Sequence, residues 1–178
     1  MMSDKNRVAM IVDGANTFSA ARASCFGIDW SKVYAAYHNR YNCLARYYAT
    51  GTRPDDDHHN PIAKLLDWLE YNGFRVVRRA GKEFISDDGH VSLRDADVRV
   101  DITLIAVGMI GRVDEIHLWT GDGAYVPLVE ALQRAGIRVS VISTIAAASD
   151  KLRRACDDFI DLDKNRELFA REAVEENA

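Results

Sequence analysis

Two short apolar runs in this chain each end in an aspartate at a turn. Val8-Ala9-Met10-Ile11-Val12 leads into Asp13-Gly14-Ala15-Asn16, and Ile116-His117-Leu118-Trp119 leads into Thr120-Gly121-Asp122-Gly123. Runs with so little polar alternation predict strands buried on both faces of a parallel sheet. Further strands are expected over about Cys43 to Ala49, Phe74 to Val77 and Arg138 to Ile142, and Phe159-Ile160 is only a candidate for a short last one.

Between the runs the apolar period changes to that of a helix. One helix is expected from about Asn16 to Ser24, with Asn16 as a candidate N-cap, and a second from Trp30 to His38. Asn60-Pro61 has the form of an N-cap and first helical residue. Ile62, Leu65, Leu66 and Leu69 then repeat at helical spacing until Gly73 stops the helix. Further helices are expected from about Val98 to Ile110 and Ala124 to Ala135, with another beginning at Ser149 or Asp150. Lys82 to Val91 has a hairpin pattern, with Asp88-Gly89 as its turn.

Strands alternating with helices predict an α/β fold: one three-layer domain, a mostly parallel Rossmannoid sheet of about five strands, and helices on both faces. No internal repeat or domain boundary interrupts the pattern. Residues 163–178 are expected to form a charged C-terminal helix or tail.

Composition adds few constraints. The 178 residues are 48% hydrophobic and 28% charged, ordinary for a soluble domain. The formal net charge of -4 gives no global nucleic-acid signature, so any anion-binding surface must be local. Arg75, Arg78, Arg79 and Lys82 form one local basic cluster; Lys151, Arg153 and Arg154 form another. Three widely spaced cysteines make no CxxC pair, which disfavours a zinc ribbon or a disulfide framework and fits a reduced cytoplasm. The first apolar run is too short for a signal segment or a membrane span, so secretion and membrane insertion are not expected.

The chemistry follows from where the acids fall. Open parallel sheets bind ligands beyond the carboxyl ends of their strands, and both Asp13 and Asp122 are delivered there. Two carboxylates, with waters and substrate phosphate, are enough to hold one magnesium ion. The structural alternative is that both aspartates cap helices at strand-to-helix turns. Gly14 and Gly121-Asp122-Gly123 do not form GxGxxG, and no GxxxxGK[ST] or GxSxG motif is present. His117, inside a strand, suits a core position better than a catalytic base. Asp55-Asp56-Asp57-His58-His59 is read as a solvated loop.

Four stretches, in order, give the chain a family resemblance. They are Val8 to Asn16, Val100-Asp101-Ile102-Thr103-Leu104, Thr120 to Val129, and Gly136-Ile137-Arg138-Val139. Residues 7–162 resemble a NYN domain of the LabA-like group, within the PIN-like nuclease superfamily. The resemblance implies a PIN-like sheet and an acidic pocket that binds Mg2+ or Mn2+ and cuts RNA, with single-stranded RNA the expected substrate.

On that resemblance Asp13, Asp101 and Asp122 are the catalytic and metal-binding acids. Asn16 is the polar partner in the first loop. Thr120, Tyr125, Arg75, Arg78 and Arg79 are further candidates for binding RNA, Tyr125 by stacking on a base and the arginines through phosphate. Tyr125 also suits the core face of its helix. Ala124 and Val107 stand where the family pattern carries acids. They favour an alternative, a PIN-like domain that has lost catalysis and serves as an RNA-binding or protein-interaction module. A homo-oligomer is compatible with either reading.

Overall fold

The computed structural model describes residues 6–52, 61–85, 91–94 and 96–171. Strand β1 (Arg7–Asp13) is followed by helices α1 (Gly14–Ala23) and α2 (Trp30–Arg40), strand β2 (Asn42–Thr52), helix α3 (Pro61–Tyr71) and strand β3 (Arg75–Ala80). Strands β4 (Lys82–Ile85) and β5 (Val91–Arg94) then form an antiparallel pair, as the hairpin pattern predicts. The second half runs α4 (Arg99–Val107), β6 (Glu115–Trp119), a 3-10 turn (Gly123–Tyr125), α5 (Val126–Arg134), β7 (Arg138–Ser143), α6 (Asp150–Ala155), β8 (Asp158–Asp161) and α7 (Arg166–Phe169). Asn60, residues 55–59 and the Asp88-Gly89 turn lie outside the described residues.

The main sheet has six strands rather than five, in the order β3-β2-β1-β6-β7-β8, and every pairing is parallel. The sixth is β8, the short Phe159-Ile160 segment, which pairs with β7 from Ser140↔Asp158 to Ser143↔Asp161. From β1 the chain crosses to β2, whereas β6 crosses to β7. The strand order therefore reverses between β1 and β6, which lie side by side. Such a switch point leaves a crevice, because neighbouring connections leave in opposite directions.

Burial on both faces explains the continuous apolar runs. In β1, Ala9 and Ile11 join the core formed with Ile102 and Ala106 of α4 and Leu128 and Leu132 of α5. Val8, Met10 and Val12 point the other way, into a core with Val33 and Tyr37 of α2 and Leu66 and Leu69 of α3. The period of two persists, but both faces are apolar. Fully burying each valine, leucine, isoleucine or methionine among them contributes ~1.5–3 kcal/mol. Among the described residues no helix is long and apolar enough to cross a membrane.

One polar chain crosses the second core. Trp119 Nε1 donates to the Tyr37 hydroxyl at 3.0 Å, and Tyr37 and His117 Nδ1 are 2.8 Å apart. The Glu115 carboxylate can only accept, so His117 Nε2 donates to it at 3.0 Å, and with the ring hydrogen placed there Nδ1 accepts from the Tyr37 hydroxyl. Ser140 Oγ donates to the same Glu115 oxygen at 2.6 Å. His117, only 2% exposed, is thus a satisfied core histidine.

Candidate functional site

The site occupies the β1/β6 switch point. Asp13 ends β1 with an extended backbone and is the N-cap of α1, accepting from the Asn16 amide at 3.2 Å. Its other carboxyl oxygen accepts from the Tyr125 hydroxyl at 3.2 Å. Gly14 is required beside it, because a Cβ there would lie 2.6 Å from the Tyr48 ring.

Asp13, not Asn16, caps the helix, which frees the Asn16 side chain to reach across the crevice. Asn16 Oδ1 accepts from the Gly121 amide at 2.7 Å, and Thr17 Oγ1 donates to the Trp119 carbonyl at 3.1 Å. These two bonds join the start of α1 to the end of β6. Thr120, fully buried, accepts from the Asp122 amide at 3.2 Å and supports the turn. Asp122 Oδ1 in turn accepts from the Ala124 amide at 2.9 Å. The flanking glycines are explained by the loop after β7. A Cβ at Gly121 would lie 2.8 Å from the Ala147 carbonyl oxygen, and one at Gly123 would lie 2.6 Å from Ser149 Oγ.

A cavity of about 360 Å³ opens here. Asp13, Asn16, Ser19, Asp97, Arg99 and Asp122 supply its polar lining. Asp97 and Arg99 precede and open α4. Asp97 accepts from the Arg99 amide at 2.9 Å, from Nε at 2.9 Å and from Nη2 at 2.8 Å. The remaining Arg99 nitrogen, Nη1, points toward Asp122 Oδ2 at 3.8 Å.

The electrostatics of two carboxylates in this lining, Asp13 and Asp97, differ. Burial pushes the Asp13 carboxyl above its ordinary value, and the Asp122 charge adds to the rise. The Asn16 amide, the Tyr125 hydroxyl and Arg99 oppose it. Asp97 lies low, at about 2, because Arg99 bonds it side-on.

Several residues expected at the site are placed elsewhere. Asp101 does not line the cavity; it forms a two-pronged ion pair with Arg79, through Nε at 2.8 Å and through Nη2. That pairing holds its carboxyl below the ordinary value. Arg75, Arg78 and Arg79 are not a cluster beyond β3 but part of it. Alternation sends Arg75 and Arg79 to one face and Arg78 to the other. Arg75 bonds the Tyr47 hydroxyl, Arg78 pairs with Glu70 of α3, and Arg79 takes Asp101. Charges of this kind protect an edge strand from pairing with another chain. The Tyr125 ring is 1% exposed and packed in the α4/α5 core, so only its hydroxyl reaches Asp13 and no base can stack on it. Ala124 is exposed and does not line the cavity.

Comparison with known proteins fits this architecture. Residues 7–163 match the family model of the NYN domain. The chain belongs to the NYN domain family. It is 27% identical to the "Low amplitude and bright protein LabA" of Synechococcus elongatus, over 92% of this chain and 88% of that protein. The crystal structure of a protein of unknown function from Vibrio parahaemolyticus RIMD 2210633 shares its fold. The TM-score is 0.74 at 24% identity, covering 96% of this chain and all of the other.

The NYN family is PIN-like, and its nucleases generally depend on divalent metals. Among the described residues there is no group of three or more His, Cys, Asp or Glu side chains placed to hold a metal. Asp13 and Asp122 do share the cavity, and each other's charge is a cost that a cation relieves. Two carboxylates with waters fit one hard divalent ion; they do not make a site built from three acids.

Arg99 and Ser19 were not anticipated from the sequence. The signal for Arg99 is the Asp97-Val98-Arg99 spacing just ahead of a helix. It lets a carboxylate take both the backbone amide and the guanidinium two residues on.

Proposed function

We propose that this NYN domain is a ribonuclease that hydrolyses phosphodiester bonds of single-stranded RNA with Mg2+ or Mn2+. The observation that carries the reading is the delivery of Asp13 and Asp122 into one cavity at the switch point. A divalent ion held there would activate water and offset charge on the phosphate. Asp13 and Asp122 provide its carboxylate oxygens. Asn16, with Oδ1 committed to Gly121, keeps its amide N–H groups for a phosphate oxygen or a water. Tyr125 and Thr120 act as positioning residues, one fixing the Asp13 carboxyl and the other the Asp122 turn.

The test is cleavage of a labelled single-stranded RNA with added manganese or magnesium. The parent should cut and stop in excess chelator, and Asp13→Asn and Asp122→Asn should both be inactive. Undiminished cleavage in both variants would place the activity elsewhere. A second reading, an RNA-binding module without catalysis, is favoured by Ala124, Val107 and the position of Asp101 on Arg79. RNA binding without cleavage in the parent would establish it.

A further inference from the structure

The cavity contains a cation that the metal-binding reading does not use. Arg99 is fixed by three hydrogen bonds to a single carboxylate, Asp97, and both groups line the cavity. This side-on grip takes Nε and Nη2. It leaves Nη1 directed at the Asp122 side of the crevice, 3.8 Å from Oδ2, beyond a direct hydrogen bond.

Charge accounting explains the arrangement. The cavity holds three carboxylates, Asp13, Asp97 and Asp122, and one guanidinium. Asp97 neutralises Arg99, so Asp13 and Asp122 remain to balance one divalent ion. An anion entering such a site finds a fixed planar donor with a free edge, the geometry that suits arginine to phosphate. Because Asp97 has already fixed its conformation, Arg99 loses less freedom on binding.

We propose that Arg99 is the phosphate-binding side chain of this pocket: locked by Asp97, it receives a non-bridging phosphate oxygen of a nucleic-acid strand beside Asp13 and Asp122. The inference rests on the ribonuclease reading for the identity of the strand, but Arg99 acts on binding whether or not the strand is cut. Asp97 is a positioning residue, because it acts through Arg99.

The experiment measures binding of a fluorescent single-stranded RNA by anisotropy at saturating calcium, a divalent ion that balances Asp13 and Asp122, across a series of KCl concentrations. It compares the parent, Arg99→Gln and Arg138→Gln. Arg138 pairs with Asp158 at the start of β7, the opposite end of the sheet from the pocket, and gives the same loss of charge. Arg99→Gln should weaken binding about tenfold, the scale of one charge-assisted hydrogen bond. It should also lower the slope of log K against log salt by about 0.7, one phosphate contact on a single strand. Arg138→Gln should change neither.

A second readout excludes a purely structural effect. Arg99→Gln removes a positive charge beside Asp13 and Asp122, so calorimetry should show tighter manganese binding while RNA binds more weakly. Misfolding of the site would weaken both.

Equal affinity and slope in Arg99→Gln and the parent would overturn the inference, as would an equal loss in Arg138→Gln or a parent with no measurable RNA binding at low salt. Metal-dependent cleavage with an unchanged Arg99→Gln slope would leave the ribonuclease reading standing and remove Arg99 alone. An Arg99-dependent slope without cleavage would do the reverse.

Discussion

Strand β6 carries two polar sites of contrasting construction. At its start and middle, Glu115 and His117 belong to a closed chain in which Trp119, Tyr37, His117, Ser140 and Glu115 satisfy one another. Beyond its end, Asp122 faces Asp13 across a cavity, and burial pushes the Asp13 carboxyl upward. In the closed chain the carboxylate moves the other way: Glu115 lies below its ordinary value, first because of the His117 hydrogen bond and also because of Ser140. Buried polar groups that are fully partnered strengthen and specify a core; a buried acid held beside another acid costs stability unless a ligand arrives. The difference separates a satisfied core from the proposed site along one strand and the turn that follows it.

The contrast should appear most strongly as opposite responses to mutation. Asp122→Asn or Asp13→Asn should lower RNA cleavage by on the order of 1,000-fold, the upper range for loss of one electrostatic group at a reacting centre. In chelator, however, Asp13→Asn should raise the melting temperature, since asparagine still caps α1 and removes a buried charge. A fall in melting temperature would mean that the Asp13 charge is compensated as fully as that of Glu115.

His117→Ala should behave in the opposite way. It leaves Glu115 half-buried without its principal partner and Tyr37 without an acceptor, at a cost of about 3 kcal/mol in denaturant unfolding. Cleavage per folded molecule should not change. Loss of activity in the folded fraction would couple the two sites.

The pH dependence of stability has opposite signs in the two kinds of acid. Asp13 is raised, so the native state binds its proton more tightly than the unfolded chain. Its contribution favours folding at low pH and declines as pH rises from the ordinary value of 3.8 through the raised folded value. Asp97 and Asp114 lie at about 2, each bonded by an arginine, so their contribution is present above 3.8 and lost as pH falls toward 2. Both are exposed, and the effect of each is small. Melting curves in chelator from pH 4 upward should flatten in Asp13→Asn relative to the parent. Identical pH profiles would show that Asp13 does not titrate differently in the two states.

The smallest effect is expected at Ala124. Its side chain points to solvent outside the cavity, while its amide holds Asp122. Ala124→Asp should therefore alter manganese affinity by less than about threefold, well under the 1.4 kcal/mol of a tenfold change. A tightening of tenfold or more would bring this position into the metal site.

Much of this architecture was legible in the apolar pattern. β1 and β6 end in aspartates, and their burial on two faces follows from the absence of alternation. The count of six strands depended on β8, whose four residues carry too little pattern to separate from a loop. Local rules were less informative where a side chain had two partners to choose from. Asn16 has the composition of an N-cap, yet Asp13 takes that role and Asn16 crosses to Gly121. Arg75, Arg78 and Arg79 are consecutive enough to suggest one patch, but strand alternation divides them between Tyr47, Glu70 and Asp101. The last pairing is tertiary and therefore invisible in sequence. Arg99 is the converse: a local contact with Asp97, two residues earlier, makes it a pocket residue, and that spacing is its one mark in the sequence.

The central claim is that Asp13 and Asp122 share one divalent ion, and a manganese-soaked crystal measured for anomalous scattering tests it most directly. The expected result is a single peak at the β1/β6 switch point, with a carboxylate oxygen from each of Asp13 and Asp122 at ~2.1 Å. A peak bound by Asp101 without either of them, or no peak at saturating manganese, would contradict it.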